Sequence, residues 1–163
     1  MVGNRAIHTL RPDDGEFRWS VDGSLSRFAA SADVTEGAYA VIEDRVVRNE
    51  GIPVHRHPGD DESFYVLEGE ITFFLGDDLP FVAQAGSFVF VPGELAHSFQ
   101  VTSDSARYLI VTTPRHEQFY RAISKPAPSR ERPPSEPLDM DMVIAACEQY
   151  GVEIIGPPPG AVD

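Results

Sequence analysis

The chain has 163 residues, of which 42% are hydrophobic, a usual share for one globular domain with a buried core. Its 13 basic and 26 acidic residues give a formal net charge of −13, which argues against nucleic acid and anionic membranes as partners, since both need a basic face. The single cysteine excludes an internal disulfide, and the sequence shows neither a membrane-spanning apolar run nor a signal-peptide pattern. We therefore expect a cytoplasmic protein.

The predicted elements begin with a polar N-terminal arm. Residues 1–24 have no regular pattern, and residues 1–36 are expected to contain this arm and the first strand. From there to residue 113, short runs rich in β-branched and aromatic residues alternate with Gly, Pro and Asp, which is typical of an all-β sandwich or barrel. The predicted strands are Leu25–Ser31, Gly37–Val47, Ser63–Leu67, Glu70–Leu75, Phe81–Ala83, Ser87–Val91, His97–Thr102 and Arg107–Thr112.

In residues 114–163 the pattern changes from strands to helices. A proline opens a short predicted helix in the sequence PRHEQFYRAIS, and Met140–Tyr150 is predicted to be a second helix that ends at Gly151. Between them the Pro-rich segment 125–137 is predicted to be an extended linker without a packed core. We expect residues 1–163 to form one domain, whose second helix either covers the barrel or reaches a partner subunit.

Two of the five histidines lie one residue apart in the sequence GIPVHRHPGDDESFYVLEG, residues 51–69. Residues two apart in a strand point to the same side, so His55 and His57 are expected to direct their imidazoles together. Imidazole is the commonest nitrogen ligand of first-row metal ions. Glu62 can reach the same point if the chain turns at Pro58–Asp61, whose Pro, Gly and Asp residues are typical of a turn.

A third histidine follows in the sequence GSFVFVPGELAHSFQV, residues 86–101. The letters PGEL predict a tight turn after a strand, and His97 opens the next strand. Adjacent barrel strands could bring His97 beside the first two histidines and Glu62. Three neutral nitrogens and one carboxylate suit a divalent first-row metal, and about two positions of a six-coordinate ion would stay open for a reaction.

Together the two segments resemble the two-part sequence signature of the cupin family. The first part joins a His-x-His pair to a following Glu and Gly, and its counterparts here are Gly51, His55, His57, Glu62 and Gly69. The second part is represented by Gly86, Pro92 and His97. The chain departs from the signature where Glu94 replaces a glycine and Val101 replaces an asparagine. Neither departure falls on a ligand position.

The cupin resemblance implies a double-stranded β-helix, a jelly-roll barrel, over residues 37–113 with short helices after it. It implies the metal ligands His55, His57, Glu62 and His97, and a divalent ion among Fe, Mn, Ni, Co, Cu and Zn. More loosely, the chain resembles bacterial quercetinase-like cupins, which implies a metal-dependent dioxygenase that acts on a flavonol or another small aromatic enol with dioxygen. Glu62 would then also accept the substrate's hydroxyl proton. The family resemblance also favours a homodimer.

Two other functions stay open at this point, because cupins include more than one class of protein. The first is a metal-dependent cyclase or isomerase for polyketide-like aromatic compounds, in which the metal acts only as a Lewis acid. The second is a non-enzymatic small-molecule-binding module. In each case Phe64, Val66 and Phe99 share the strand faces of the ligands and are the candidate lining of the substrate pocket.

The remaining polar candidates are interpreted as structural. His8 lies in the polar N-terminal arm and His116 on the first predicted helix, so both are expected at the surface. Asp60 and Asp61 are expected to be turn residues that face solvent. Cys147 is expected to be a small buried residue of its helix.

Overall fold

The computed structural model describes residues 6–49, 51–134 and 139–159. Within these ranges the chain forms a mostly β structure with two short helices. The strands are β1 Glu16–Ser20, β2 Leu25–Ala30, β3 Ala40–Val47, β4 Val54–Arg56, β5 Glu62–Glu68, β6 Glu70–Leu75, β7 Phe81–Gln84, β8 Phe88–Val91, β9 His97–Val101, β10 Ser105–Thr112, β11 Ser124–Pro126 and β12 Glu153–Gly156. The helices are α1 Pro114–Ala122 and α2 Met140–Tyr150.

The strands form two antiparallel sheets. The larger sheet has the order β11-β1-β2-β3-β10-β5-β8, and the smaller sheet has the order β12-β4-β9-β6-β7. Sequence neighbours such as β4 and β5 lie in different sheets, so the chain crosses repeatedly between the two layers. This jelly-roll architecture confirms the predicted fold class.

The core lies between the two sheets because the strands alternate buried and exposed residues. In β5, Phe64 is fully buried while Tyr65 is 43% exposed. The Phe64 ring lies 5.0 Å from that of Phe73 and 5.2 Å from that of Phe99, so all three rings meet in the interior. Burial of large apolar side chains such as these stabilises the core.

Gly69, the last glycine of the first signature segment, makes the turn between β5 and β6. Its φ of +79° lies in the left-handed region, and an added Cβ would stand 2.1 Å from the carbonyl oxygen of Ser105. Glycine is therefore required here for two independent reasons.

The N-terminal arm and the linker are more ordered than the sequence predicts. Residues 16–20 form β1, which pairs with β2 on one side and with β11 on the other. The prediction of irregular structure for residues 1–24 was therefore wrong for this stretch. The linker prediction was also wrong at Lys125 and Pro126, which belong to β11, while residues 135–138 lie outside the described ranges. A three-residue strand is stabilised by its partners, so no local pattern marks it.

The second helix has the predicted limits and packs against α1. Asp139 caps its N-terminus, and Gly151 ends it in the left-handed conformation with a φ of 73°. Cys147 is buried as expected and packs with Phe119 of α1, and β12 then pairs with β4. Among the described residues, no helix is long and apolar enough to cross a membrane.

Candidate metal centre

The predicted ligands are supplied by three segments that meet between the sheets. β4 and β9 are neighbours in the smaller sheet, with His55 and His97 as direct partners across the pair. His57 follows the end of β4 and is fully buried. Glu62 opens β5 in the larger sheet, where it pairs with Thr112, and is 1% exposed. The two-residue spacing of the histidines therefore brings both rings to one side, as the sequence indicates.

The histidine rings are held by backbone carbonyls. The Nδ1 atoms of His55, His57 and His97 lie 3.0, 2.5 and 2.9 Å from the carbonyl oxygens of residues 53, 60 and 95. A carbonyl oxygen only accepts a hydrogen bond, so each Nδ1 must carry the proton and each Nε2 must offer a lone pair. Within the described part of the chain, the buried Nε2 atoms of His57 and His97 have no hydrogen-bond partner. Buried, unpartnered nitrogens of this kind fit a metal ion.

The distances are also compatible with one ion. Oε2 of Glu62 lies 3.6 Å from Nε2 of His57 and 3.8 Å from Nε2 of His97. Two ligand atoms that are each about 2.1 Å from a shared ion can be at most about 4.2 Å apart. The ring of His55 lies 4.3 Å from that of His97. Glu62 therefore lies within reach of an ion that His57 and His97 hold, and His55 adjoins His97 in the same cluster.

His116 is a fifth member of the cluster, and its predicted surface position was wrong. It is 1% exposed, its ring lies 4.1 Å from that of His57, and its Nε2 lies 3.6 Å from Oε1 of Glu62. The possible ligand atoms of the cluster form two groups, each within 4.8 Å, that share His57. These groups are His55, His57 and His97, and His57, Glu62 and His116.

Tyr120 is the second site residue that the sequence analysis missed. Its hydroxyl donates a hydrogen bond of 2.6 Å to Oε1 of Glu62. His116, Phe119 and Tyr120 lie at helical spacing on the inner face of α1, and this spacing was the available signal. His8 is exposed, as predicted.

The turn that carries His57 is fixed by Asp60, which is buried rather than exposed to solvent as predicted. Its carboxylate accepts hydrogen bonds from Oγ1 of Thr113 at 2.5 Å and from Nε of Arg115 at 2.7 Å. Asp61 is exposed, but its Oδ1 accepts a hydrogen bond from the backbone N–H of Gly93. The acidic turn therefore anchors the His57 loop to α1 and to the second signature segment.

The charges in the centre suit metal ligands. Burial opposes ionisation of Glu62, but the surrounding histidine side chains, His116 first, lower its pKa well below the ordinary value. Burial, aided by the neighbouring His97, lowers the pKa of His55 to about 3. Burial also opposes protonation of His57, yet the adjacent Glu62 carboxylate raises its pKa. Glu62 is thus a carboxylate and His55 a neutral imidazole, the forms in which both residues ligate metals.

A cavity of about 260 Å³ adjoins the centre. His55, His116, Tyr120 and Phe99 line it, and α2 and β12 close it from the C-terminal side. Phe99, one of the three residues predicted to line the pocket, does line this cavity. Phe64 and Val66 do not line this cavity; both are fully buried in the core, one layer deeper.

A second groove, of about 560 Å³, lies elsewhere on the molecule. It runs along Trp19, Lys125 and Arg132, and its lining contains none of the clustered histidines. We therefore assign the functional cavity to the smaller space beside the histidines.

The fold and the site define the class of protein. The family model described as the cupin domain matches residues 43–112, which span β3 to β10 and include the four predicted ligands. The chain therefore contains a cupin domain over residues 43–112.

One relative of described activity matches most of the chain. The chain is 26% identical over 153 residues to quercetin 2,3-dioxygenase of Bacillus subtilis (strain 168), an alignment that covers 92% of this chain and 44% of that protein. The chain therefore spans less than half of that relative's length.

Two solved structures share the fold. An RmlC-like cupin from Shewanella frigidimarina has a TM-score of 0.59 at 19% identity and covers 70% of this chain and 96% of its own. A sugar phosphate isomerase of the cupin superfamily from Silicibacter pomeroyi has a TM-score of 0.55 at 23% identity, with 65% and 75% covered. At these identities the likeness concerns the fold and leaves the reaction open.

Proposed function

We propose that the protein is a metal-dependent dioxygenase that acts on a flavonol-like or other small aromatic enol. The observation that carries the proposal is the set of carbonyl-oriented histidines whose Nε2 atoms converge, beside the ionised Glu62, next to a largely apolar cavity. The similarity to quercetin 2,3-dioxygenase supports the choice of reaction.

In this proposal His55, His57, His97 and Glu62 hold a divalent first-row ion. The bound ion would supply Lewis-acid and redox chemistry to the substrate and dioxygen. The carbonyl bonds to Nδ1 set the direction of the rings before any ion binds, which lowers the cost of assembling the site. Tyr120 and His116 both contact Oε1 of Glu62, so they orient Oε2 toward His57 and His97.

Glu62 also has a role in proton transfer. The surrounding histidines keep it ionised, so a carboxylate oxygen is available to accept the proton of a substrate hydroxyl. Its low pKa makes it a weak base. It therefore suits an acidic enol better than an ordinary alcohol, because proton transfer needs comparable pKa values.

The apolar wall around Phe99 and Phe119 would bind the aromatic body of the substrate and exclude water. The cavity volume of about 260 Å³ lies near the lower end of ligand pockets, which span roughly 300–1,000 Å³. A compact substrate of one or two fused rings fits this size best.

The test is incubation of the protein, loaded in turn with Fe, Mn, Co, Ni or Cu, with quercetin and with the smaller 3-hydroxychromone in air. We expect loss of the substrate's absorbance together with dioxygen uptake for at least one metal. Turnover that persists without dioxygen would contradict the dioxygenase and favour a cyclase or isomerase. Binding without turnover would favour a binding module.

A further inference from the structure

An acidic residue occupies a core position of the larger sheet. Along β3, Ile42, Asp44 and Val46 alternate inward, and Asp44 is only 3% exposed. Its two inward neighbours belong to the apolar core, whereas Asp44 lines the cavity beside the metal centre. A buried carboxyl group costs free energy unless it has hydrogen-bond partners, so its presence at this position calls for a function.

The described part of the chain satisfies this carboxyl group only in part. Oδ1 of Asp44 has no hydrogen-bond partner there, and neither has the fully buried hydroxyl of Tyr108, its register neighbour in β10. Of the two nearby serines, Ser24 donates to Asp22 at 2.7 Å, whereas Ser26 interacts with the carboxyl group of Asp44. Oδ1 of Asp44 is thus a buried oxygen without a hydrogen-bond partner, on a residue that lines the cavity.

The same cavity joins Asp44 to the metal centre. His55 and His116 line it together with Asp44, and the apolar residues Phe99 and Phe119 also line it. A ligand that binds the centre with one polar group and lays its ring on the apolar wall would therefore occupy the space that Asp44 lines.

The charge around Asp44 decides which ligand group it can accept. Burial first, and then the charges of Asp22, Glu62 and Glu43, raise the pKa of Asp44 to about 8, although a hydrogen bond with Ser26 opposes the shift. The carboxyl group is therefore mostly neutral near pH 7, and its acidic neighbours repel an anion. A neutral carboxyl group attracts a cation only weakly. The hydrogen-bond donor that suits Asp44 best is therefore the hydroxyl group of a neutral ligand.

We propose that Asp44 is a specificity-determining residue that binds a second hydroxyl group of the substrate. The ligand class is a small aromatic enol with an additional hydroxyl on its ring system. This inference rests on the proposed function, because it assumes that another group of the same ligand reaches the metal centre.

The test compares binding of 3-hydroxychromone with that of derivatives that each add one hydroxyl on the fused ring. Affinities are measured anaerobically by fluorescence titration of the metal-loaded protein. For the wild-type protein we expect at least one derivative to bind about tenfold more tightly than the parent compound. Asp44→Leu should lose that gain relative to its own affinity for the parent compound, while Asp44→Asn, which keeps an acceptor, should retain part of the gain.

Asp78→Asn is the matched control, because Asp78 is exposed and does not line the cavity. This variant should still bind the hydroxylated derivative more tightly than the parent compound. If it loses this difference as fully as Asp44→Leu does, the assignment to Asp44 is overturned. A gain that survives in Asp44→Leu would also overturn it. If Asp44→Leu does not fold, Asp44→Ala replaces it in the same measurement.

The proposed function can fail separately. If no chromone binds the metal-loaded wild-type protein, the aromatic-substrate function is wrong and the role of Asp44 is overturned with it. If the parent binds and no added hydroxyl improves the affinity, only the role of Asp44 is overturned.

Discussion

The hydroxyl of Tyr120 donates a hydrogen bond of 2.6 Å to Oε1 of Glu62 and so links α1 to the metal centre. Tyr120 is held in an environment where burial, followed by the charge of Glu62, raises its pKa well above the ordinary value. It therefore stays protonated and acts as a permanent donor. The helix that follows the barrel is thus part of the site, because it fixes the carboxylate that opens β5.

Removal of the Tyr120 hydroxyl should weaken metal binding without abolishing it. For Tyr120→Phe we expect metal affinity or turnover to fall about 10- to 100-fold, the usual effect of losing a group that orients a ligand. Metal titration followed by elemental analysis measures the change. Tyr65→Phe is the control, because Tyr65 is 43% exposed and should behave as the wild type. An unchanged affinity and rate in Tyr120→Phe would contradict the orienting role.

Substitution of a proposed ligand should have a larger effect. His57→Gln is expected to lose the metal that the wild-type protein carries, because His57 belongs to both possible ligand groups. Elemental analysis after purification without chelator provides the measurement. His8→Gln, which changes an exposed histidine, is the matched control and should keep the full metal content. Full occupancy in His57→Gln would contradict the proposed centre.

His116 provides a separate test of the ligand set. If it orients Glu62, His116→Gln should retain a stoichiometric metal ion with affinity lowered about 10- to 100-fold. Complete loss of the ion, comparable to that in His57→Gln, would instead make His116 a ligand of the second group. Competition titrations with a chelator of known affinity distinguish these two results.

Gly93 should tolerate no side chain. An added Cβ would stand 2.5 Å from the carbonyl oxygens of His57 and Asp60, so Gly93→Ala must displace the loop that carries His57. We expect a loss of about 2 kcal/mol or more in the free energy of unfolding, together with weaker metal binding. Gly156→Ala is the control, because its nearest new contact would be Val54 Cβ at 3.9 Å. Urea denaturation measures both variants, and equal stabilities would refute the steric argument.

Asp44 should make stability depend on pH. Its pKa is raised to about 8 in the folded protein, against about 3.9 in an unfolded chain. Between these values the folded state holds a proton that the unfolded state has released. The free energy of unfolding therefore falls as the pH rises from about 4 to about 8, by at most about 1.4 kcal/mol per pH unit.

Asp44→Asn removes this titration and should flatten the fall over that range. The other charged groups that act on Asp44, namely Asp22, Glu43 and Glu62, are unchanged in the variant, so the difference between the two proteins isolates Asp44. Urea denaturation at about pH 5 and about pH 8 measures it. Parallel pH profiles for the variant and the wild type would contradict the raised pKa.

The sequence alone determined the all-β architecture and the four candidate ligands. Strand periodicity and turn residues act over a few positions, so Glu70–Leu75 was predicted with the observed limits. The two-residue spacing of His55 and His57 predicted that their side chains point to the same side, because this also depends only on neighbouring positions in a strand. The strands β1, β11 and β12 were missed. β11 and β12 pair with β1 and β4, which lie far away in the sequence, so no local pattern marks them.

The tertiary structure alone decided what surrounds the ligands. His116 and Tyr120 reach Glu62 only because α1 packs across the barrel mouth, a contact that spans 58 positions in the case of Tyr120. The sequence likewise left open whether α2 covers the barrel, and it gave no sign that Asp44 lines the cavity. These features depend on how separate elements pack, and local patterns of hydrophobicity and turn residues carry no information about that packing.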